Sequence, residues 1–123
     1  MRSSRTGDRG YREIAHTADW ALHVWAPDLK GLLVTAAEGM YDLLGVVTDP
    51  NQPVQQHLAL EAMDAESLLV AFLNELVFQL EERRAFWQFD LEVKGTQLEG
   101  ELKGARVIGQ GKEIKAVTYH DLA

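Results

Sequence analysis

The sequence predicts an α+β fold, two helices packed on a mainly antiparallel sheet in a single domain, and three observations lead there. Two long stretches place apolar residues at helical spacing. The segments with two-residue alternation cluster before and after those helices instead of alternating with them, as parallel βαβ units would. At 123 residues and 46% hydrophobic content, the chain can bury one core but not two. Residues 1–10 read as a disordered polar tail, with Arg2, Arg5 and Arg9 solvated, and residues 11–123 as the domain.

An extended Tyr11-Arg12-Glu13-Ile14-Ala15 leads the domain, and Trp20 to Ala26 forms the next strand. In the latter both parities are largely apolar, as in a strand covered on two sides, which makes His23 a satisfied, half-buried histidine. Pro27-Asp28 stops the strand, and the Asp28 carboxylate is placed to accept from first-turn amides of a helix. Leu29, Leu32, Leu33, Ala36, Ala37, Met40, Leu43 and Leu44 form its apolar stripe, Gly45 ends it, and Glu38 and Asp42 fall on a solvated face. Asp49-Pro50-Asn51-Gln52-Pro53 reads as a loop, because neither proline suits a helix interior or a central strand. From Val54 to Glu61 a strand turns Val54, Leu58 and Leu60 inward and exposes His57 and Glu61.

The second helix is expected from Asp64 to about Arg84, with Glu66 in its first turn and Arg83 and Arg84 at the negative end of its dipole. Ten of the thirteen residues from Leu68 to Leu80 are apolar, so this helix is central. Glu75, Gln79 and Glu82 read as a solvated ridge, with a buried functional role for Asn74-Glu75 as the alternative. Trp87, Phe89, Leu91 and Val93 then alternate with polar residues, Gly95-Thr96 turns the chain, and Leu98, Gly100 and Leu102 continue an antiparallel hairpin. Residues 104–111 read as a flexible glycine-rich link into a last strand, Glu113 to His120, where Lys115 shares a face with Val117 and Tyr119. A lysine in that setting either guards a sheet edge or joins an ion-pairing site.

Composition narrows the function. With no cysteine, thiolate metal sites, disulfides and cysteine nucleophiles are excluded, which suits a reducing compartment. The polar start lacks the apolar segment of a signal peptide and no stretch is long enough to span a bilayer, so the expectation is a cytoplasmic protein without a membrane partner. A formal charge of −7 opposes tight nucleic-acid binding by the chain alone and favours a basic protein partner. An independent hydrolase has little support: there is no nucleophile elbow or phosphate loop, and Ser67 is the only serine after the tail.

Chemistry concentrates in His16-Thr17-Ala18-Asp19, where an imidazole, a hydroxyl and a carboxylate meet at the junction of two strands. Such a set can cap a turn, bind a cation or do both. Asp19 and His23 are too far apart on extended chain, about 13 Å, to share an ion. Together with Ala36-Ala37-Glu38-Gly39-Met40, with Leu68-Leu69 and Leu73-Asn74-Glu75-Leu76, and with the closing Ile114-Lys115-Ala116-Val117-Thr118-Tyr119-His120, this motif resembles the archease family. The likeness spans roughly residues 11 to 122, and its first and last motifs are the most specific.

The resemblance implies a helper protein and not an enzyme. Its expected partner is the ligase that joins RNA ends bearing a 2′,3′-cyclic phosphate or 3′-phosphate to a 5′-hydroxyl in tRNA splicing and RNA repair. It implies promotion of the ligase's guanylylation and multiple turnover, with manganese and GTP belonging to the ligase. A role as a chaperone or modulator of RNA-modifying enzymes, such as a tRNA methyltransferase, is the alternative. It also implies a divalent cation, calcium in crystals, held by Asp19, with His16 a candidate neighbour and Lys115 a candidate functional residue. One carboxylate binds a hard cation weakly, so a second acid is expected. In the family it comes from a further C-terminal strand. Here the sequence closes on His120-Asp121-Leu122-Ala123, so either it is a short or truncated member or Asp121 or the terminal carboxylate substitutes, with His120 nearby.

Overall fold

Two three-stranded antiparallel sheets and two helices make up the computed structural model, which describes residues 3–6, 9–15, 20–114 and 117. The first sheet joins β1 (Ser3–Thr6), β2 (Arg9–Ala15) and β3 (Trp20–Trp25) in that order. Helix α1 (Leu29–Leu44) follows, then β4 (Val47–Glu61), helix α2 (Ala65–Glu81), β5 (Arg84–Lys94) and β6 (Gln97–Gly109), the last three strands forming the second sheet in the order β4-β6-β5. The α+β class stands, with the strands divided between two sheets. Helix α1 lies against β2, β3, α2 and β5, and α2 against all three strands of the second sheet.

The segment expected to be a disordered tail supplies β1, which pairs with β2 from Ser3 opposite Arg12 to Thr6 opposite Arg9. A ladder is made of main-chain groups, so polar side chains do not prevent it. Nor is Arg9 solvated. Its Nη1 donates to Thr35 Oγ1 at 2.9 Å and lies 3.2 Å from Glu38 Oε1. Thr35 is only 2% exposed, so this bond satisfies a buried hydroxyl and ties the first sheet to α1. Asp42 is likewise engaged, accepting from the Tyr11 hydroxyl at 3.3 Å. Glu38 and Asp42 therefore serve as attachment points for β2.

The helix boundaries follow local chemistry closely at their starts. The Asp28 carboxylate accepts from the Gly31 amide at 2.7 Å and the Asp64 carboxylate from the Ser67 amide at 2.8 Å, so each cap satisfies an amide that the first helical turn leaves unpaired. Gly45 ends α1 in the left-handed region at φ 63°. The end of α2 departs from expectation. It stops at Glu81, Arg83 takes φ 64°, and Arg84 opens β5, so neither arginine sits in the last helical turn. The Arg83 carbonyl instead accepts from the Val107 amide at 2.8 Å, a bond to β6 that a continued helix would forgo.

The second sheet differs from expectation at three places. Between Asp49 and Pro53 the register of β4 against β6 skips Pro50, Asn51 and Gln52. The Asp49 carboxylate accepts there from the Asn51 amide at 2.9 Å and from Gln52 Nε2 at 2.8 Å, so the expected turn exists, but as an excursion inside an edge strand. Prolines are tolerated because that edge needs no partner. In β5 the register shifts between Phe86 and Gln88, leaving Trp87 bulged and 57% exposed instead of aligned with Phe89, Leu91 and Val93. The expected link over 104–111 is mostly the continuation of β6 to Gly109.

Leu33, Ala37 and Leu44 of α1, Leu68, Phe72 and Leu76 of α2, and Phe86, Leu98 and Leu102 of the second sheet form the closely buried centre. Phe72 meets the partly buried Phe89 edge-on, with centroids 6.0 Å apart and planes at 66°. Tyr41 joins its rim, where burial pushes the phenol's pKa up and its oxygen accepts from the Phe86 amide at 3.2 Å.

Candidate functional site

Ala15 of β2 pairs with Trp20 of β3, so His16-Thr17-Ala18-Asp19 links two paired strand ends. His16 and Asp19 themselves lie outside the described residues, as do Lys115, His120 and Asp121. Among the described residues no group of three or more histidine, aspartate or glutamate side chains is gathered to hold a metal ion. What the described residues do show is how the chain is led from the second sheet to the segment that carries Lys115.

Past β6, the amides of Gly111 and Lys112 both donate to the Leu44 carbonyl, at 2.8 and 3.0 Å. These bonds satisfy an acceptor left over at the end of α1. Ile114 and Val117 then pack against the core as partly buried side chains. Glu113, Ile114 and Val117, the described part of the expected last strand, are not in regular strand conformation. Instead Val117 is held by a side chain. Asn74, midway along α2, donates from Nδ2 to the Val117 carbonyl at 3.0 Å and accepts from the Val117 amide at Oδ1 at 2.8 Å.

The neighbouring polar residues of α2 also depart from a solvated ridge. Gln79 is only 3% exposed and donates from Nε2 to Glu75 Oε2 at 2.9 Å, while Glu75 is half-buried. Glu82 alone of the three is exposed, as the helix C-cap. A buried amide needs a bonded partner, which explains why Glu75 and Gln79 sit one turn apart.

A second polar group lies on the outer face of the second sheet. His57 of β4 places Nδ1 2.9 Å from Glu101 Oε1 and Nε2 3.3 Å from Glu99 Oε2, both on β6. On the other side of β6, Glu99 stands opposite Glu92 and Glu101 opposite Asp90, like-charge pairs that repel. His57 is 54% exposed at its side chain, in keeping with the expected exposure, but it is not without partners. Sequence reasoning could place Glu99 and Glu101 on one face; it could not bring His57 beside them, because the β4-β6 neighbourhood is a matter of strand order. His23 is exposed instead of half-buried, and its ring lies 5.5 Å from that of Trp25, two residues along β3.

The bond to Glu101, aided by the charges of both glutamates, holds the His57 pKa above its usual 6.5. Bonds from His57 and then Gln55 hold the Glu101 carboxyl below its usual 4.5. The raised histidine value stabilises the fold below pH 6.5 and that contribution is lost as pH rises through the folded value; the lowered glutamate value stabilises above 4.5 and is lost on acidification. The stability difference between wild type and His57→Gln, measured by denaturant midpoints, is therefore expected to peak between pH 4.5 and 6.5. A difference that stays flat from acid to alkaline pH would contradict the pairing.

Comparison with known proteins adds what the described geometry does not. The model of the archease protein family (MTH1598/TM1083) matches residues 11–123. A protein archease of Methanopyrus kandleri is 32% identical, over 91% of this chain and 86% of its own length. One from Ictalurus punctatus is also 32% identical, over 91% of this chain and 75% of its own. Among solved structures, a Thermotoga maritima archease, a possible chaperone, superposes with a TM-score of 0.62 at 24% identity, covering 91% of this chain and 84% of that one. The solution structure of Methanobacterium thermoautotrophicum protein 1598 gives a TM-score of 0.62 at 23% identity, covering 89% and 84%. At those identities the structural likeness speaks for the fold.

Proposed function

We infer, from the premise that this chain belongs to the archease protein family, that it is a protein cofactor activating an RNA-splicing ligase. In this reading it promotes guanylylation of a ligase histidine and sustains multiple turnovers in cytoplasmic tRNA splicing and RNA repair. The observation that carries the reading is the family match over residues 11–123, within which the His16-Thr17-Ala18-Asp19 and Ile114-Lys115-Ala116-Val117-Thr118-Tyr119-His120 motifs fall. A formal charge of −7 supports docking on a cationic ligase entrance and opposes independent RNA binding.

Asp19 is assigned as a ligand to a divalent cation, with His16 beside it and Lys115, His120 and Asp121 on the C-terminal half of the same site. Carboxylate oxygen is the donor a hard cation such as calcium prefers, and a second acid, with Asp121 as a candidate within this sequence, would complete what a single aspartate lacks. When bound, the cation would supply positive charge for phosphate oxygens of the guanylate. The chain's own part is to hold two acidic groups and a lysine at one place and present them to the ligase.

The test is reconstitution. With the cognate ligase, GTP and manganese, the wild-type chain should accelerate guanylylation and turnover, and Asp19→Ala should remove most of that acceleration while its unfolding transition stays close to wild type. The second reading, a chaperone or modulator of RNA-modifying enzymes such as a tRNA methyltransferase, draws support from the description of the Thermotoga maritima relative as a possible chaperone. It gains ground if the chain suppresses aggregation of unrelated clients and leaves ligase rates unchanged.

A further inference from the structure

We propose that Asn74 is a positioning residue whose carboxamide clamps the backbone of Val117 to α2 and so sets the register of the segment that carries Lys115. The inference rests on the ligase-activating reading of the candidate site and adds a residue to it.

Asn74 interrupts the apolar run from Leu68 to Leu80, where asparagine is a poor helix former and a part-buried amide loses free energy unless bonded. Its two polar atoms are spent on a single residue 43 positions away, one on the N–H and one on the C=O of Val117. That is the pairing a neighbouring strand would give, supplied by a side chain to a segment that has no strand partner at Val117 among the described residues. The other attachments of this segment are less selective. The Gly111 and Lys112 amides share one acceptor at the end of α1, and among the described residues the contact of Ile114 is apolar packing, which does not choose a register. Among the described residues after Lys112, the clamp is the hydrogen bonding that fixes a particular residue, and it does so two positions after Lys115. A slip of one residue would hand the clamp to a different backbone unit and shift every functional group of the segment with it.

Guanylylation is measured at saturating chain for wild type, Asn74→Ala, Lys115→Ala and the double variant, with Asn74→Asp as the graded case. Asn74→Asp keeps the acceptor for the Val117 amide and turns the donor into a second acceptor facing the carbonyl. The expected result is a fall of about tenfold for Asn74→Ala, an intermediate or equal fall for Asn74→Asp, and a double variant that loses clearly less than the product of the two single losses, since part of the clamp's effect passes through Lys115. Hydrogen exchange should quicken at the Val117 amide while those of Phe72 and Leu76 stay protected. Wild-type activation by Asn74→Ala overturns the inference, and so does a double variant whose losses multiply, because a merely structural role acts independently of Lys115. A wild-type chain that activates nothing overturns the proposed function instead. In that case exchange still decides the clamp, and unchanged protection at Val117 would remove it.

Discussion

Gly104→Ala is expected to lower unfolding stability by more than about 3 kcal/mol, beyond the usual range for an overpacked methyl, or to leave the chain unable to fold. A Cβ on Gly104 would overlap the Ala85 carbonyl oxygen and lie 2.6 Å from the Phe86 Cα. Both neighbours are main-chain atoms of β5, so no side chain can rotate away. Relief requires separating β5 from β6 where Phe86 pairs with Gly104, beside the Trp87 bulge. Gly95→Ala is the control. It has φ 60° but nothing within 4 Å of a built Cβ, so it should lose only the left-handed preference, about 1–2 kcal/mol. Denaturant midpoints for the two variants check this; equal costs would show that the strands do not approach as closely as described.

Phe72→Ala should cost about 3–5 kcal/mol and lower the midpoint of thermal unfolding by ~10–20 °C. The side chain is 0% exposed, at the centre of α2, and meets Phe89 of β5 edge-on. Removing it loses both the transfer free energy of the ring and the contacts around the space left behind. Phe72→Leu should recover much of the loss, since a branched aliphatic side chain refills part of the volume. By contrast Phe78, on the same helix but 50% exposed, should tolerate alanine with less than about 1 kcal/mol of change. Calorimetry on the three variants would contradict the account if Phe72→Ala and Phe78→Ala were alike.

These residues also mark where the fold could be read from sequence. Asp28, Gly45 and Asp64 act on amides and carbonyls within one helical turn, so the residue types alone located three helix ends. Gly95-Thr96 closed its hairpin for the same reason, with Lys94 paired to Gln97. Gly104 read as flexibility because its role is set by Ala85 and Phe86 of a distant strand, and the need for a missing Cβ appears only when β5 lies beside it. Trp87 alternated correctly with its neighbours, yet one bulge reversed its exposure. The division into two sheets and the β4-β6-β5 order rest on pairings between distant segments, which no local pattern encodes.

The candidate site divides in the same way. His16, Asp19 and Lys115 stood out because their residue types and their places within two motifs carry chemistry, and they belong to the stretch that the family model covers. Asn74 stood out only as an alternative to a solvated ridge, because an asparagine in a helix has no visible partner until Val117 arrives 43 residues later. His57, Glu99 and Glu101 were each legible as surface residues and became a group only through strand order. Arg9 read as part of a basic tail, although Thr35 and Glu38 were waiting on α1 to receive it.

The most direct test of the account is the rate of ligase guanylylation with the cognate ligase, GTP and manganese, measured with no added chain, with wild type and with Asp19→Ala. The account predicts acceleration by wild type and its near-complete loss in Asp19→Ala at unchanged stability. Equal rates with and without the wild-type chain, or full activity in Asp19→Ala, would contradict it.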